Sequence, residues 1–267
     1  MNAEVSRYAL GSTDAEHARL VRQAGWLASH TGRLFRDAGI EPGHRVLDLG
    51  SGVGDVAAIA ARLVGPAGTV VGVERDARSV ARAHARMIEE GLRHVTFIQS
   101  DVGELSSEVP FDAAVGRYIL MFLPDAVSAL RSVARSVRPG GALAFQEPDW
   151  KSFLEEAARL PLWSGGARLL VETFQRCGTN TEMGPALPDV FQESGLPMPA
   201  IRTDRLIGSE SWLSDCLHSL RPTMVELDLS LEPLGEFETL AERLSAEVSA
   251  FRTTTPVPSI VSAWTRK

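Results

Sequence analysis

Asp48 stands two residues before the stretch Gly50-Ser51-Gly52-Val53-Gly54, at the end of the apolar run Arg45–Leu49. Glycine reaches positive φ and carries no side chain, so backbone here can approach a ligand closely. The spacing speaks to the ligand's chemistry. A nicotinamide or flavin fingerprint reads G-x-G-x-x-G, with its third glycine inside the following helix. Asp55 occupies that third position, where a carboxylate disfavours a pyrophosphate. Asp48 suits a cationic ligand instead, facing an ammonium group directly or through water. Glu74, Asp101, Arg117 and Glu147 fall, like Gly50, at or just past the ends of predicted strands.

The elements that must position these residues alternate. A stripe of Leu20, Ala24, Leu27, Thr31, Leu34 and Ala38 predicts a helix over 14–38, with Asp14 as a cap and Gly39 as its stop. Trp26 lies off that stripe, packing on a second element or lining a pocket. Strands are predicted at 45–49, 69–73, 95–98, 111–115 and 142–145, separated by helices from Asp55, over 77–90 and over 124–137. Such alternation implies right-handed βαβ units and a parallel sheet. Ligands of these sheets bind beyond the carboxyl ends of the strands, which gathers the acids around one crevice. Further helices are expected over 163–176, 187–194, 209–231 (interrupted at Pro222) and 236–251, with strands at 201–206 and 257–265.

The whole chain narrows the function classes. Its 267 residues are 44 % hydrophobic, enough for one large α/β core with an appended lid. The net charge of -7 argues against nucleic acid or an anionic membrane as partner. Cys177 and Cys216 have no ligand-like spacing, and no carboxylate cluster suggests magnesium, so no metal is expected. The first residues lack an apolar signal segment and no run reaches membrane-spanning length, so a cytoplasmic protein is expected, as monomer or homodimer.

In order and spacing, these motifs resemble those of the class I S-adenosylmethionine-dependent methyltransferases, in particular bacterial small-molecule methyltransferases. Val46–Gly54 looks like that family's first motif, Glu74 its acid ending strand two, and Asp101 its acid after strand three. Phe111-Asp112-Ala113-Ala114-Val115 looks like the fourth-strand motif, and Arg138-Pro139-Gly140-Gly141 the turn before strand five. The resemblance implies a Rossmann-like, seven-stranded, mostly parallel sheet between helices. It divides the chain into an N-terminal helical cover (1–40), a cofactor-binding core (41–207), a helical lid (208–252) and a final core strand (253–267). It implies S-adenosylmethionine as cofactor and S-adenosylhomocysteine as product.

The same resemblance assigns cofactor contacts. Glu74 accepts both ribose hydroxyls, and Arg75 packs along the adenine edge. Asp101 accepts the adenine amino proton while the Val102 backbone N–H meets a ring nitrogen. Gly50, Ser51 and Gly52 bring backbone against the methionine portion, which Asp48 faces. Arg117 pairs with the cofactor carboxylate or with a substrate anion. Tyr8 and Gln23, in an N-terminal segment like one that covers the cofactor in such enzymes, are added to the set. The acceptor pocket is expected from Trp26, Tyr118, Met121, Phe122, Trp150, Trp163, Trp212, Arg221 and Met224. No catalytic group is assigned; Glu147, His17 and Tyr118 are candidates, with His30 and His218 as further histidines. The expected reaction moves a methyl group to O, N or C of a small, largely apolar or aromatic metabolite. The alternatives are an RNA or protein methyltransferase, or a protein that keeps the cofactor fold without methylating.

Overall fold

The computed structural model describes residues 13–102, 109–209 and 211–267. Side-chain alternation along the first strands builds two cores. In β1 (Arg45–Leu49), Val46 faces one way while Leu47 and Leu49 face the other; in β2 (Thr69–Glu74), Val70 opposes Val71 and Val73. One core lies under α1 (Asp14–Asp37), α2 (Asp55–Val64) and α3 (Ala77–Glu89), where Phe35, Ala57, Ala61, Ala83 and Met87 pack. The other holds Phe111, Phe145, Trp163 and Phe191 under the later helices. Apolar residues pointing both ways are what a sheet covered on both faces requires.

β3 (Val95–Gln99), β4 (Phe111–Arg117), β5 (Val137–Asp149), β6 (Ala200–Asp204) and β7 (Ser259–Arg266) complete a sheet ordered β3-β2-β1-β4-β5-β7-β6. The first five strands are parallel, and β7 runs antiparallel to both its neighbours. The expected seven-stranded α/β architecture is therefore the one observed. The order reverses between β1 and β4, so the crevice at that switch point opens beside the glycine turn.

Several boundaries differ from expectation. Thr13, not Asp14, caps α1: its hydroxyl accepts the Glu16 N–H at 3.2 Å. Asp125, following Pro124, caps α4 (Ala126–Ser136) through the Ser128 N–H. β5 begins at Val137 rather than at 142, because the Arg-Pro-Gly-Gly segment stays laddered: Gly140 N–H donates to the Lys267 carbonyl and Lys267 N–H to Gly141. An unforeseen α5 (Trp150–Ala157) follows at once, capped by Asp149. α6 spans Pro161–Arg176 and α7 Met183–Glu193. Pro222 lies inside α8 (Trp212–Glu226) without ending it, and α9 spans Leu240–Ala250. α6 packs with α5, α8 and α9, so the helical cap draws on residues before β6 as well as after it. Among the described residues, no helix is long and apolar enough to cross a membrane.

Candidate functional site

The turn after β1 is held from two sides. Glu74 ends β2, and its carboxylate accepts the Gly52 N–H at 3.0 Å and the Asp76 N–H at 2.9 Å. Both oxygens keep a lone pair for a ligand. From α3, Arg86 donates to the Val53 carbonyl (2.6 Å) and to Asp55 (2.8 Å). Asp55 is thus part of a half-buried ion pair that clamps the turn. Gly50 sits at φ +61°, and a Cβ there would fall 2.4 Å from Ile119 Cδ1. Gly52, at φ +50°, faces open space, a cradle that a ligand can occupy.

That cradle opens into a cavity of about 660 Å3, within the usual range for small-molecule sites. Its two ends differ in chemistry. One carries Gly50, Ser51, Gly52, Glu74, Arg75, Asp76, Ser79, Asp101 and Val102. The other is walled by Trp26, Tyr118, Met121, Phe122, Trp150, Phe174, Trp212 and Cys216. Gln23, His17, Arg19 and Arg117 also line it. The Ser51 hydroxyl is buried on this wall with no hydrogen-bond partner among the described residues. The acid fixed by two backbone donors, the open glycine face and the orphaned hydroxyl fit an adenosyl cofactor bearing an amino acid.

Other expected site residues lie elsewhere. Tyr8 falls outside the described residues. Asp48 is off the cavity wall: it is fully buried on β1, and neither carboxylate oxygen has a hydrogen-bond partner among the described residues. Burial, partly offset by the Arg117 charge, holds its carboxyl well above the usual carboxylate range. Trp163 is core, not pocket: its indole N–H donates to the Leu244 carbonyl at 3.1 Å and its backbone N–H to Glu247. Met224 is equally buried in the cap. Arg221 is exposed on α8, with its guanidinium over the Phe237 ring at 4.6 Å. A long apolar side chain in a capping helix serves packing as readily as a pocket, and periodicity does not separate the two.

The candidate catalytic groups sort by geometry. Glu147 is not on the cavity wall. Its Oε1 accepts the Ile119 N–H (3.0 Å) and the Leu120 N–H (2.8 Å), so it braces the loop after β4 from behind. Desolvation raises its pKa to about 8. His17, buried on α1, pairs with the Ser79 hydroxyl (Nε2 to Oγ, 3.3 Å), which places it with the polar end. Tyr118 lines the cavity at φ +57°, its N–H donating to the Gln146 carbonyl. Burial pushes its phenol up, so it offers a hydrogen-bond donor rather than a phenolate base. His30 pairs with Asp204 and His218 with the Ser214 carbonyl; neither lines the cavity. Among the described residues, no group of three or more His, Cys, Asp or Glu could hold a metal ion.

Sequence reasoning left Arg19, Phe174 and Cys216 out of the site. Arg19 forms a buried two-bond pair with Glu16 (2.6 and 2.7 Å) and donates to Gln23 at 2.6 Å. Its position one helical turn before Gln23 was the signal that could have found it. Phe174 and Cys216 come from helices far along the chain, and nothing local marks them.

A family model described as a methyltransferase domain matches residues 40–182. The chain is 35 % identical over 116 residues to aklanonic acid methyltransferase DauC of a Streptomyces species, covering 41 % of this chain and 50 % of that one. It is 33 % identical over 112 residues to the ubiquinone/menaquinone biosynthesis C-methyltransferase UbiE of Pseudomonas putida, covering 41 % and 44 %. The chain thus spans half or less of the length of these curated relatives. The crystal structure of a SAM-dependent methyltransferase from Aquifex aeolicus shares the fold, with TM-score 0.53 and 17 % identity over 73 % of this chain and 93 % of that one. Since the family model covers more than half of its residues, the chain belongs to the methyltransferase-domain family and has the class I S-adenosylmethionine-dependent methyltransferase fold.

Proposed function

We propose that the protein transfers a methyl group from S-adenosylmethionine to O, N or C of a small, largely apolar or aromatic metabolite. The observation that carries this reading is the single cavity joining the Glu74 end to the aromatic end. Glu74, Asp101 and the glycine turn would hold the adenosyl part. The cofactor supplies an electrophilic methyl on a sulfonium. The protein's share is to orient the acceptor in line with that methyl and to keep the pocket dry. Trp26, Tyr118, Met121, Phe122, Trp150 and Trp212 supply apolar walls for an aromatic or polycyclic acceptor, and the Tyr118 hydroxyl can donate to an acceptor oxygen.

The relatives support a small-molecule acceptor and a bacterial biosynthetic setting, since one is named for aklanonic acid and the other for ubiquinone/menaquinone biosynthesis. In this reading α1 is the cover over the cofactor, residues 41–207 and 253–267 the core, and residues 208–252 the lid, joined by α5 and α6. The test is incubation with S-adenosylmethionine and a panel of hydroxylated aromatic, quinol and amine acceptors. Release of S-adenosylhomocysteine dependent on an apolar aromatic acceptor is expected. Turnover only with RNA or a protein substrate, or none with bound cofactor, would overturn the reading.

A further inference from the structure

Trp150 opens α5 directly after β5 and lines the aromatic end of the cavity. It is 7 % exposed, and its indole N–H has no hydrogen-bond partner among the described residues. Two other buried tryptophans differ in this. Trp163 donates to the Leu244 carbonyl at 3.1 Å, and Trp212 donates to Gln23 Oε1 at 3.4 Å. A buried indole N–H ordinarily finds an acceptor, and one left without carries the full cost of its desolvation. The cavity that Trp150 borders is where that acceptor atom can be supplied.

The ring is held in place. Asp149 caps α5 through the Lys151 and Ser152 N–H groups. The Trp150 ring packs on Phe174, with centroids 5.3 Å apart, and edge-on to Phe153 at 6.1 Å. Phe153 in turn meets Trp212, and Phe174 meets Phe122. The N–H is thus a fixed donor set in an apolar wall.

Placement assigns it to the methyl acceptor rather than to the cofactor. β5 lies three strands from β2, which ends in Glu74. At about 4.8 Å per strand, that is roughly 14 Å across the sheet. The acids on the cavity wall, Asp55, Glu74, Asp76 and Asp101, belong to the glycine turn and the polar end. At the aromatic end, burial, partly offset by the Arg117 charge, keeps the Tyr118 phenol protonated. A protonated amine would meet that positive charge with no carboxylate of the aromatic wall beside it. A carbonyl oxygen needs only donors.

Resting on the methyltransferase reading, we propose that the Trp150 indole N–H donates to a carbonyl oxygen of the acceptor. This wall then selects aromatic carbonyl compounds over carbonyl-free aromatics and aromatic amines.

The experiment titrates wild type, Trp150→Phe and Trp150→Tyr, each saturated with S-adenosylhomocysteine, with three probes built on one ring system. These are 2-acetonaphthone, 2-ethylnaphthalene and 2-naphthylamine. Wild type is expected to bind the ketone roughly 10-fold more tightly than the hydrocarbon or the amine. Trp150→Phe keeps an apolar wall without the N–H and should bind ketone and hydrocarbon alike. Trp150→Tyr returns a donor and should recover part of the preference. The chain has five tryptophans, so nuclear magnetic resonance gives a separate readout in wild type. One indole N–H proton should move downfield in the ketone complex relative to the hydrocarbon complex, and it should be the signal missing from Trp150→Phe. Equal affinity of wild type for ketone and hydrocarbon, tighter binding of the amine, or a preference that survives in Trp150→Phe would overturn the proposal. So would an indole proton that the ketone leaves unmoved. Failure of wild type to bind S-adenosylhomocysteine would count instead against the methyltransferase reading.

Discussion

Glu74→Ala is expected to weaken S-adenosylhomocysteine binding by about 100- to 1000-fold, the largest loss from any single change on the polar wall. The proposed role is acceptance of two ribose hydroxyls by a charged carboxylate, and each such bond contributes roughly 1.5–3 kcal/mol. At about 1.4 kcal/mol per factor of ten, the two together reach that range. A second effect adds to it. The same carboxylate accepts the Gly52 and Asp76 N–H groups, so its removal also frees the backbone that shapes the cradle. Glu74→Gln keeps the shape but offers one acceptor oxygen and no charge, and should fall between. Calorimetric titration measures both, with thermal unfolding as a control that the fold survives. Binding by Glu74→Ala within a few-fold of wild type would remove Glu74 from the cofactor site.

The second large effect is on stability, and it depends on pH. Glu147 is fully buried, with one oxygen holding two backbone N–H groups and the other without a hydrogen-bond partner among the described residues. Its pKa rises from 4.5 to about 8 on burial. The folded protein therefore keeps this proton where the unfolded chain has lost it. Stability from the neutral form is fully present below pH 4.5 and is lost as pH rises through about 8. Glu147→Gln keeps an acceptor oxygen for Ile119 and Leu120 but cannot ionise. Wild type and Glu147→Gln should match near pH 4.5, and the variant should become the more stable protein by pH 8 to 9. The gap is on the order of a few kcal/mol, roughly 5–15 °C in Tm. Glu147→Ala should be destabilised at every pH, since it leaves two buried donors unpaired at about 1–3 kcal/mol each. Thermal melts of the three proteins across pH 4.5–9 measure this. A wild type that gains on Glu147→Gln as pH rises would contradict the buried-acid reading.

Strand ends were the most legible part of the site. Strand-forming apolar runs and glycine turns are local, and the parallel topology then brings Gly50, Glu74, Asp101 and Arg117 to one crevice. That logic does not say which way a strand-end side chain turns. Glu147 satisfies the rule by position, yet it folds back beneath the loop after β4 to serve Ile119 and Leu120. Asp48 likewise lies one step too deep to reach the wall. The aromatic wall was only half legible. Trp26, Tyr118, Phe122, Trp150 and Trp212 line the cavity, whereas Trp163 and Met224 are packed into the cap. All are apolar side chains on helices or helix-flanking loops. Which face of a capping helix meets the cavity is set by contacts such as Leu213 and Leu217 on Gly166, some fifty residues apart. Phe174 and Cys216 were hidden for the same reason.

A structure with S-adenosylhomocysteine bound tests most directly whether the cavity is divided into a cofactor end and an acceptor end. The ribose hydroxyls should lie on Glu74, the adenine beside Asp101 and Val102, and the carboxylate on Arg117. The thioether sulfur should then face the volume between Tyr118, Met121 and Trp212. Adenine stacked among Trp26, Trp150 and Trp212, or the ligand held outside this cavity, would contradict that division.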